Sequence, residues 1–324
     1  MRHRLVISTA MISVLLATLV GCSNASGPSV SEPKKPAFAI DQNFPDPDVL
    51  HVSGTYYAYA TNSAAVNVQV ATSTDLKSWT VLTTDALPTL PKWTAPGKTW
   101  APDVSEVSPG RFVMYFVAAN IDSSLQCVNV ATSDSPTGPF VAAGSAALVC
   151  SPVEGGAIDP ASFVDTDRKA YLVWKNDGNC CGLDTWLQIA PLSRDRLSLT
   201  GPPTKLIKQS LAWEGNLIEA PTLVKHGDRY VLFYSANDYG GDKYRIGYAT
   251  ANSALGPYKK SERSLLSTAS SGGRYVGPGG QDVVVRPDGS TALVIHSWSD
   301  GFAYRGMSVL SLDWKGDVPF VNVQ

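Results

Sequence analysis

The chain is poor in charge, and the charge it has is not gathered into patches. Of its 324 residues only 17% are Asp, Glu, Lys or Arg, and the formal net charge is −2. No basic run exceeds the pairs Lys34-Lys35 and Lys259-Lys260. The electrostatic footprint that grips a phosphate backbone is therefore missing, which argues against a nucleic-acid partner. Apolar residues at helical spacing are almost absent beyond Asp46, which argues against coiled coils and helix bundles. Long apolar runs are lacking too: the one sizeable stretch, residues 5–20, has about 16 residues and is short for a membrane-spanning helix. Histidine numbers only 4, and the cysteines show no Cys-x-x-Cys spacing, so a clustered metal site has little to draw on.

What is present begins with an export signal. Arg2 and Arg4 precede the apolar run, which ends in Leu19-Val20-Gly21-Cys22. That ending resembles the lipobox of bacterial lipoproteins, with Cys22 as the lipidated residue. Residues 1–21 thus read as a lipoprotein signal peptide, and residues 22–36, rich in Ser, Pro, Gly and Lys, as a flexible tether. An ordinary signal peptide with a chance cysteine is the alternative. Without its first 21 residues the chain carries a net charge of −4. The expected location is the cell envelope, with membrane contact only through the lipid. Export permits disulfides. Four cysteines follow Cys22 and allow three pairings. Cys127–Cys150, on strand-like segments about a hairpin apart, and a vicinal Cys180–Cys181 pair are the favoured set.

Residues 37–324 carry a repeat. Five short apolar runs recur at intervals of roughly sixty residues. They are centred on Tyr56-Tyr57, Val113-Met114, Leu172-Val173, Leu232-Phe233 and Val294-Ile295. Each is preceded by an apolar stretch and a turn, and followed by a third strand such as Val128-Asn129-Val130-Ala131. Turn-like pieces such as Ser135-Pro136-Thr137-Gly138-Pro139 announce a fourth strand. Four strands repeated five times describe an all-β, five-bladed β-propeller.

In such a fold the first strand of each blade lines a central channel. Here those strands open as Pro45-Asp46-Pro47-Asp48, Trp100-Ala101-Pro102-Asp103, Ile158-Asp159-Pro160-Ala161, Glu219-Ala220-Pro221-Thr222 and Gly280-Gln281-Asp282. Carboxylates from separate blades would therefore face one cavity, an electrostatic expense kept mainly for chemistry or for a cation. Hydrolysis of a glycosidic bond needs such a set. An acid protonates the leaving oxygen, and a carboxylate about 6.5–9.5 Å away activates water from the opposite face. A third carboxylate near the acid would keep it protonated.

At these residues the chain resembles glycoside hydrolase family 43, whose five-bladed propellers include arabinanases, α-L-arabinofuranosidases and β-xylosidases. The matching motifs are Asp46-Pro47 ahead of Gly54-Thr55-Tyr56-Tyr57, Asp159-Pro160 ahead of Phe163-Val164-Asp165, and Glu219-Ala220-Pro221 ahead of Tyr230-Val231-Leu232. The resemblance implies that Asp46 is the general base, Asp159 the modulator of the acid's pKa, and Glu219 the general acid. Asp48 competes for the role of base and Glu214 for that of acid; Asp103 reads as structural or a minor substrate contact. In the family a histidine of the last blade often holds a calcium or sodium ion or its water, which makes His296 a candidate ligand. No cofactor is otherwise required. Some relatives carry a histidine after the Gly-Pro-Gly turn, where this chain has Gln281. Phe44, Trp100, Trp174, Trp213 and Trp298 fall near the channel mouth by register and are the candidate sugar-stacking residues.

The leading expectation is an exported, monomeric, inverting enzyme acting on α-L-arabinofuranosyl linkages of an oligosaccharide or polysaccharide. A β-xylosidase and a non-catalytic sugar-binding lipoprotein are the alternatives.

Overall fold

The computed structural model describes Met1 and residues 36–323. Apart from Met1 and Pro36, the expected signal peptide and tether, Cys22 included, lie outside the described residues. Among those described, no helix is long and apolar enough to cross a membrane.

Five antiparallel sheets follow one another along the chain, each running from an inner strand outward. Blade 1 holds β1 (Asp48–Val52), β2 (Thr55–Ala60), β3 (Gln69–Ser73) and β4 (Thr80–Val81). Blade 2 holds β5 (Trp100–Ser108), β6 (Arg111–Ala119), β7 (Gln126–Ser133) and β8 (Val141–Ala142). Blade 3 holds β9 (Ala157–Val164), β10 (Ala170–Asn176), β11 (Trp186–Pro191) and β12 (Thr204–Lys208). Blade 4 has β13 (Ile218–His226), β14 (Arg229–Ala236), β15 (Arg245–Ala251) and β16 (Lys259–Lys260), with β17 (Leu266–Ser267) also paired to β15. Blade 5 closes with β18 (Val276–Val285), β19 (Thr291–Trp298), β20 (Arg305–Lys315) and β21 (Val318–Val321). The five apolar runs of the sequence are the second strands. The expected five-bladed β-propeller is the fold.

Those second strands are apolar without alternation because both faces of each blade are covered. On β6, Val113, Tyr115 and Val117 pack into the core shared with blade 3, while Phe112, Met114, Phe116 and Ala118 pack into the core shared with blade 1. Each of the five blade interfaces has its own buried cluster of this kind. The segment before blade 1 helps to hold the two ends together. Ala39 N–H and Ile40 N–H donate to Met307 O at 2.8 and 3.2 Å, and Phe44 N–H donates to Arg305 O at 2.9 Å.

The entry to each inner strand is a repeated device. Asp46, Ala101, Asp159, Ala220 and Gly280 hold equivalent places, and all have φ between 40° and 55°. Proline follows the first four. In blades 2 to 5 the strand register shifts at this point, as a β-bulge does. The left-handed turn swings one backbone position out of the ladder and toward the channel. At Gly280 a side chain has no room: a Cβ there would meet the His296 ring at 2.5 Å and Asp46 Oδ1 at 2.8 Å.

Just beyond these turns the blades are clasped to one another. Asp48 Oδ2 accepts from Val104 N–H at 2.9 Å, Asp103 Oδ2 from Ser162 N–H at 3.0 Å, and Asp282 Oδ2 from Val49 N–H at 2.9 Å. Blade 3 has Ala161 at the matching position, and Asp159 Oδ2 reaches Ala220 N–H instead, at 2.9 Å. Between blades 4 and 5, Thr222 Oγ1 donates to Gln281 O at 2.7 Å. Cys127 on β7 stands beside Cys150 with Cα atoms 4.7 Å apart, and Cys180 and Cys181 are adjacent on the loop after β10.

The clasps make a stability prediction. Burial pushes the Asp103 carboxyl up to about 6, against the opposing pull of its Ser162 bonds, and its Oδ1 is buried with no hydrogen-bond partner among the described residues. A carboxyl raised in the folded state contributes stability at low pH that is lost as pH climbs through the folded value. Asp103→Asn keeps an acceptor for the Ser162 amide and removes the charge. Relative to wild type, its melting temperature should gain several degrees between pH 4 and pH 7, equivalent to roughly 3 kcal/mol at most. Thermal unfolding at the two pH values measures this; an unchanged gap would show that the Asp103 charge is not the cause.

Candidate active site

The turns and clasps enclose a cavity of about 610 Å³ at the channel mouth. Asp46, Asp159 and Glu219 all line it, with Trp100, Tyr239 and Arg305 among their neighbours. Three carboxylates from three different blades thus meet in one place, and each has a different environment.

Asp46 is surrounded by donors. Thr61 Oγ1 donates to Oδ2 at 2.6 Å, and Arg305 Nη1 lies 3.4 Å from Oδ1. Burial alone would raise this carboxyl, but Arg305 and the Thr61 hydroxyl outweigh it and hold it well below the usual carboxylate range. It is a carboxylate at every working pH.

Asp159 behaves oppositely. Burial, and next the charge of Glu219, push Asp159 up to about 8, with Lys175 opposing. Two neighbouring carboxyls in a dry cavity cannot both ionise cheaply, so the pair retains one proton at neutral pH. Glu219 Oε1 accepts from Tyr244 Oη at 2.8 Å, and Oε2 lies 3.4 Å from Lys175 Nζ. Burial drives the Tyr244 hydroxyl far above its usual range, so it remains a phenol donor. A permanently charged carboxylate therefore faces a proton-holding pair across one cavity.

The competing carboxylates have other work. Asp48 is committed to its clasp, and burial followed by repulsion from Asp103 and Asp282 pushes it well above the normal range. A group held neutral is no base. Glu214 is fully buried away from the cavity, with Lys260 Nζ 2.8 Å from each carboxylate oxygen and Tyr234 Oη donating at 2.7 Å.

The aromatic expectations divide. Trp100 lines the cavity. Phe44 is wholly buried in the core between blades 5 and 1, and Trp174, 2% exposed, sits in the core between blades 2 and 3. Neither offers a face to a sugar, which corrects their placement as stacking residues. The error comes from strands covered on both faces, where a period of two cannot distinguish channel from interface. Trp213 stacks on Tyr234, with ring centroids 6.0 Å apart, and packs against the core of blades 3 and 4. Trp298 stands at the rim, where its Nε1 donates to Tyr239 O at 2.8 Å and its ring faces the Arg305 guanidinium. Sequence reasoning missed Thr61, Lys175, Tyr239, Tyr244 and Arg305. Only Lys175, a lone charge inside an apolar strand, left a visible signal.

His296 is buried under Asp46. The Asp46 amide donates to Nδ1 at 3.0 Å; Asp46 Oδ1 comes within 3.2 Å of the same nitrogen, but the amide hydrogen is fixed and decides the tautomer. Burial, then Arg305, lowers the pKa, so the ring is neutral with its proton on Nε2. Nε2 is buried with no hydrogen-bond partner among the described residues. A nitrogen that keeps its proton has no lone pair for a cation. The described residues also contain no group of three or more His, Cys, Asp or Glu that could hold a metal ion. The surroundings of His296 do not fit a directly coordinated calcium or sodium ion.

The family model for glycosyl hydrolases family 43 matches residues 38–317. The chain belongs to this family. It is 26% identical over 306 residues to an extracellular endo-α-(1→5)-L-arabinanase 1 of Bacillus subtilis (strain 168), covering 89% of this chain and 91% of that protein. With arabinanase 2 of the same strain it shares 27% identity over 276 residues, 75% of this chain but only 55% of the longer relative. Among solved structures, a thermostable family-43 glycoside hydrolase superimposes with a TM-score of 0.77 at 30% identity, over 86% of this chain and 93% of that one.

Removal of the buried Glu214 carboxylate would leave Lys260, largely buried, without its counter-charge. Glu214→Ala should cost about 3–5 kcal/mol of stability. Chemical unfolding tests it; a loss under 1 kcal/mol would mean that the pair is replaceable by solvent.

Proposed function

We propose that this family 43 protein is an exported, inverting glycosidase that cleaves α-L-arabinofuranosyl linkages in arabinan or arabinoxylan-type glycans. The observation that carries the reading is the contrast within one cavity between Asp46, held ionised by Arg305 and Thr61, and the Asp159–Glu219 pair, which shares a proton. Asp46 takes a proton from a water as that water attacks the anomeric carbon. The glycosidic bond breaks, and Glu219 gives its proton to the departing oxygen. Asp159 keeps the proton with the pair at neutral pH. Water is thus split between the two products, and the anomeric configuration inverts. The two arabinanase relatives support arabinose over xylose. Both carry the word extracellular in their names, which supports export. In this reading residues 1–21 are the signal peptide, Cys22 carries the lipid, and Cys127–Cys150 and Cys180–Cys181 are disulfides. The protein acts as a monomer.

The test is sugar release from aryl α-L-arabinofuranoside, aryl β-xyloside, linear arabinan and arabinoxylan. Wild type should release arabinose with inverted configuration by NMR. Glu219→Gln should lose on the order of 10²–10⁴-fold on unactivated substrates, and Asp46→Asn should be equally crippled. Release of xylose alone would transfer the assignment to β-xylosidase; a folded protein that binds glycan but is silent on all four would make it a binding lipoprotein. Thr61→Val removes a donor to Asp46, but Arg305 still holds the carboxyl ionised through the working range, so the acidic limb of the pH–rate profile should stay in place while kcat falls. A limb that moves upward would show that Asp46 titrates within the working range.

A further inference from the structure

Lys175 is a buried charge that the reaction above does not use. Its side chain is fully buried on β10 in a cavity wall, a costly place for an ammonium unless oxygens surround it. They do: Asn179 Oδ1 at 2.5 Å, Asp177 Oδ1 at 3.3 Å and Glu219 Oε2 at 3.4 Å. The bulge that sets Asp159 also sets Lys175, because the β9–β10 register slips between Val173 and Lys175, and Lys175 ends opposite Ile158. One local irregularity therefore aims Asp159 and Lys175 at the same neighbour. Asp177 and Asn179, which flank the ammonium, lie on the loop that borders the cavity and carries Cys180 and Cys181.

We propose that Lys175 is a positioning residue that holds the Glu219 carboxyl by Oε2 and stabilises the negative charge left on Glu219 as its proton passes to the leaving oxygen. This rests on the glycosidase reading and deepens it. Asp159 and Lys175 act on Glu219 in opposition. The carboxyl of Asp159 favours proton retention, and the ammonium favours release. An acid with only the first neighbour would hold its proton through the neutral range but surrender it poorly; one with only the second would be spent before substrate arrived. The other charged or titratable groups facing the pair are Asp46, whose charge adds to proton retention, and Tyr244, a neutral donor to Glu219 Oε1. Asp177 sits behind Lys175 and offsets part of its charge.

Purified full-length protein, Lys175→Met and Lys175→Arg are compared on two α-L-arabinofuranosides, one with a dinitrophenyl leaving group that needs no proton and one with an alkyl group that does. For Lys175→Met we expect about 10–100-fold lower kcat/KM on the alkyl substrate, under threefold on the dinitrophenyl substrate, and an upward shift of the alkaline limb. Lys175→Arg should restore the limb. Equal losses on both substrates with an unmoved limb would overturn the proposal and leave Lys175 as packing, as would no loss at all. Carbon-13 NMR titration of the Asp and Glu carboxyls needs no turnover. The carboxyl signals of the Asp159–Glu219 pair, assigned by their loss in Asp159→Asn and Glu219→Gln, should titrate higher in Lys175→Met, and a pair that does not move overturns the proposal even if wild type proves inactive. Wild-type silence on every glycoside, with that pair moving as expected, would overturn the glycosidase reading and leave the coupling of Lys175 to the pair standing.

Discussion

The ring of carboxylate-to-amide clasps around the channel is the constraint on which the rest depends. A propeller has no central core of its own; each blade buries its faces against two neighbours, and apolar contact alone does not fix the rotation of one blade on the next. A carboxylate from one inner strand accepting an amide of the next inner strand does fix it, at four of the five joints. The fifth joint uses a threonine hydroxyl instead. Because the clasps lie at the inner strands, they also fix how the channel mouth is assembled.

The same ring explains why chemistry is cheap to build there. Once several carboxyls are confined to a low-dielectric channel, their mutual repulsion and desolvation force some of them to be neutral. Small differences in donors then decide which. Arg305 and Thr61 keep Asp46 charged; burial and the repulsion between Asp159 and Glu219 keep one proton on that pair; Asp48, Asp103 and Asp282 are raised by burial. Acid and base arise from residues of nearly identical chemistry. At blade 3 the two roles overlap, since Asp159 both clasps Ala220 and belongs to the proton-sharing pair.

The backbone carries part of this work. Asp46 and Asp159 adopt φ of 55° and 53°, a region that non-glycine residues seldom enter, and the repeat of that turn at all five blades shows that the fold imposes it. The turn leaves a single residue out of the ladder and faces it to the cavity. Glu219 sits one position earlier, immediately before the equivalent Ala220, so the acid approaches from a different angle than the two aspartates. Lys175, opposite the same kind of bulge, is brought in by the second strand.

The repeat, the blade count and the three facing carboxylates were legible in the sequence, because period, turn chemistry and the Asp-Pro, Asp-Pro and Glu-Ala-Pro openings are local properties of the chain. What each carboxyl does was not, because ionisation depends on partners from other blades: Arg305 for Asp46 and Glu219 for Asp159. The fate of the aromatics was also tertiary. Phe44 and Trp174 read as well as Trp100 does, yet blade packing buries two and leaves one at the cavity. The sequence by itself determined a five-fold strand repeat with acids at its inner openings; only the closed ring decided which acids meet, which keep a proton and which merely hold the blades together, since burial and charge coupling exist only once distant segments share one dry channel.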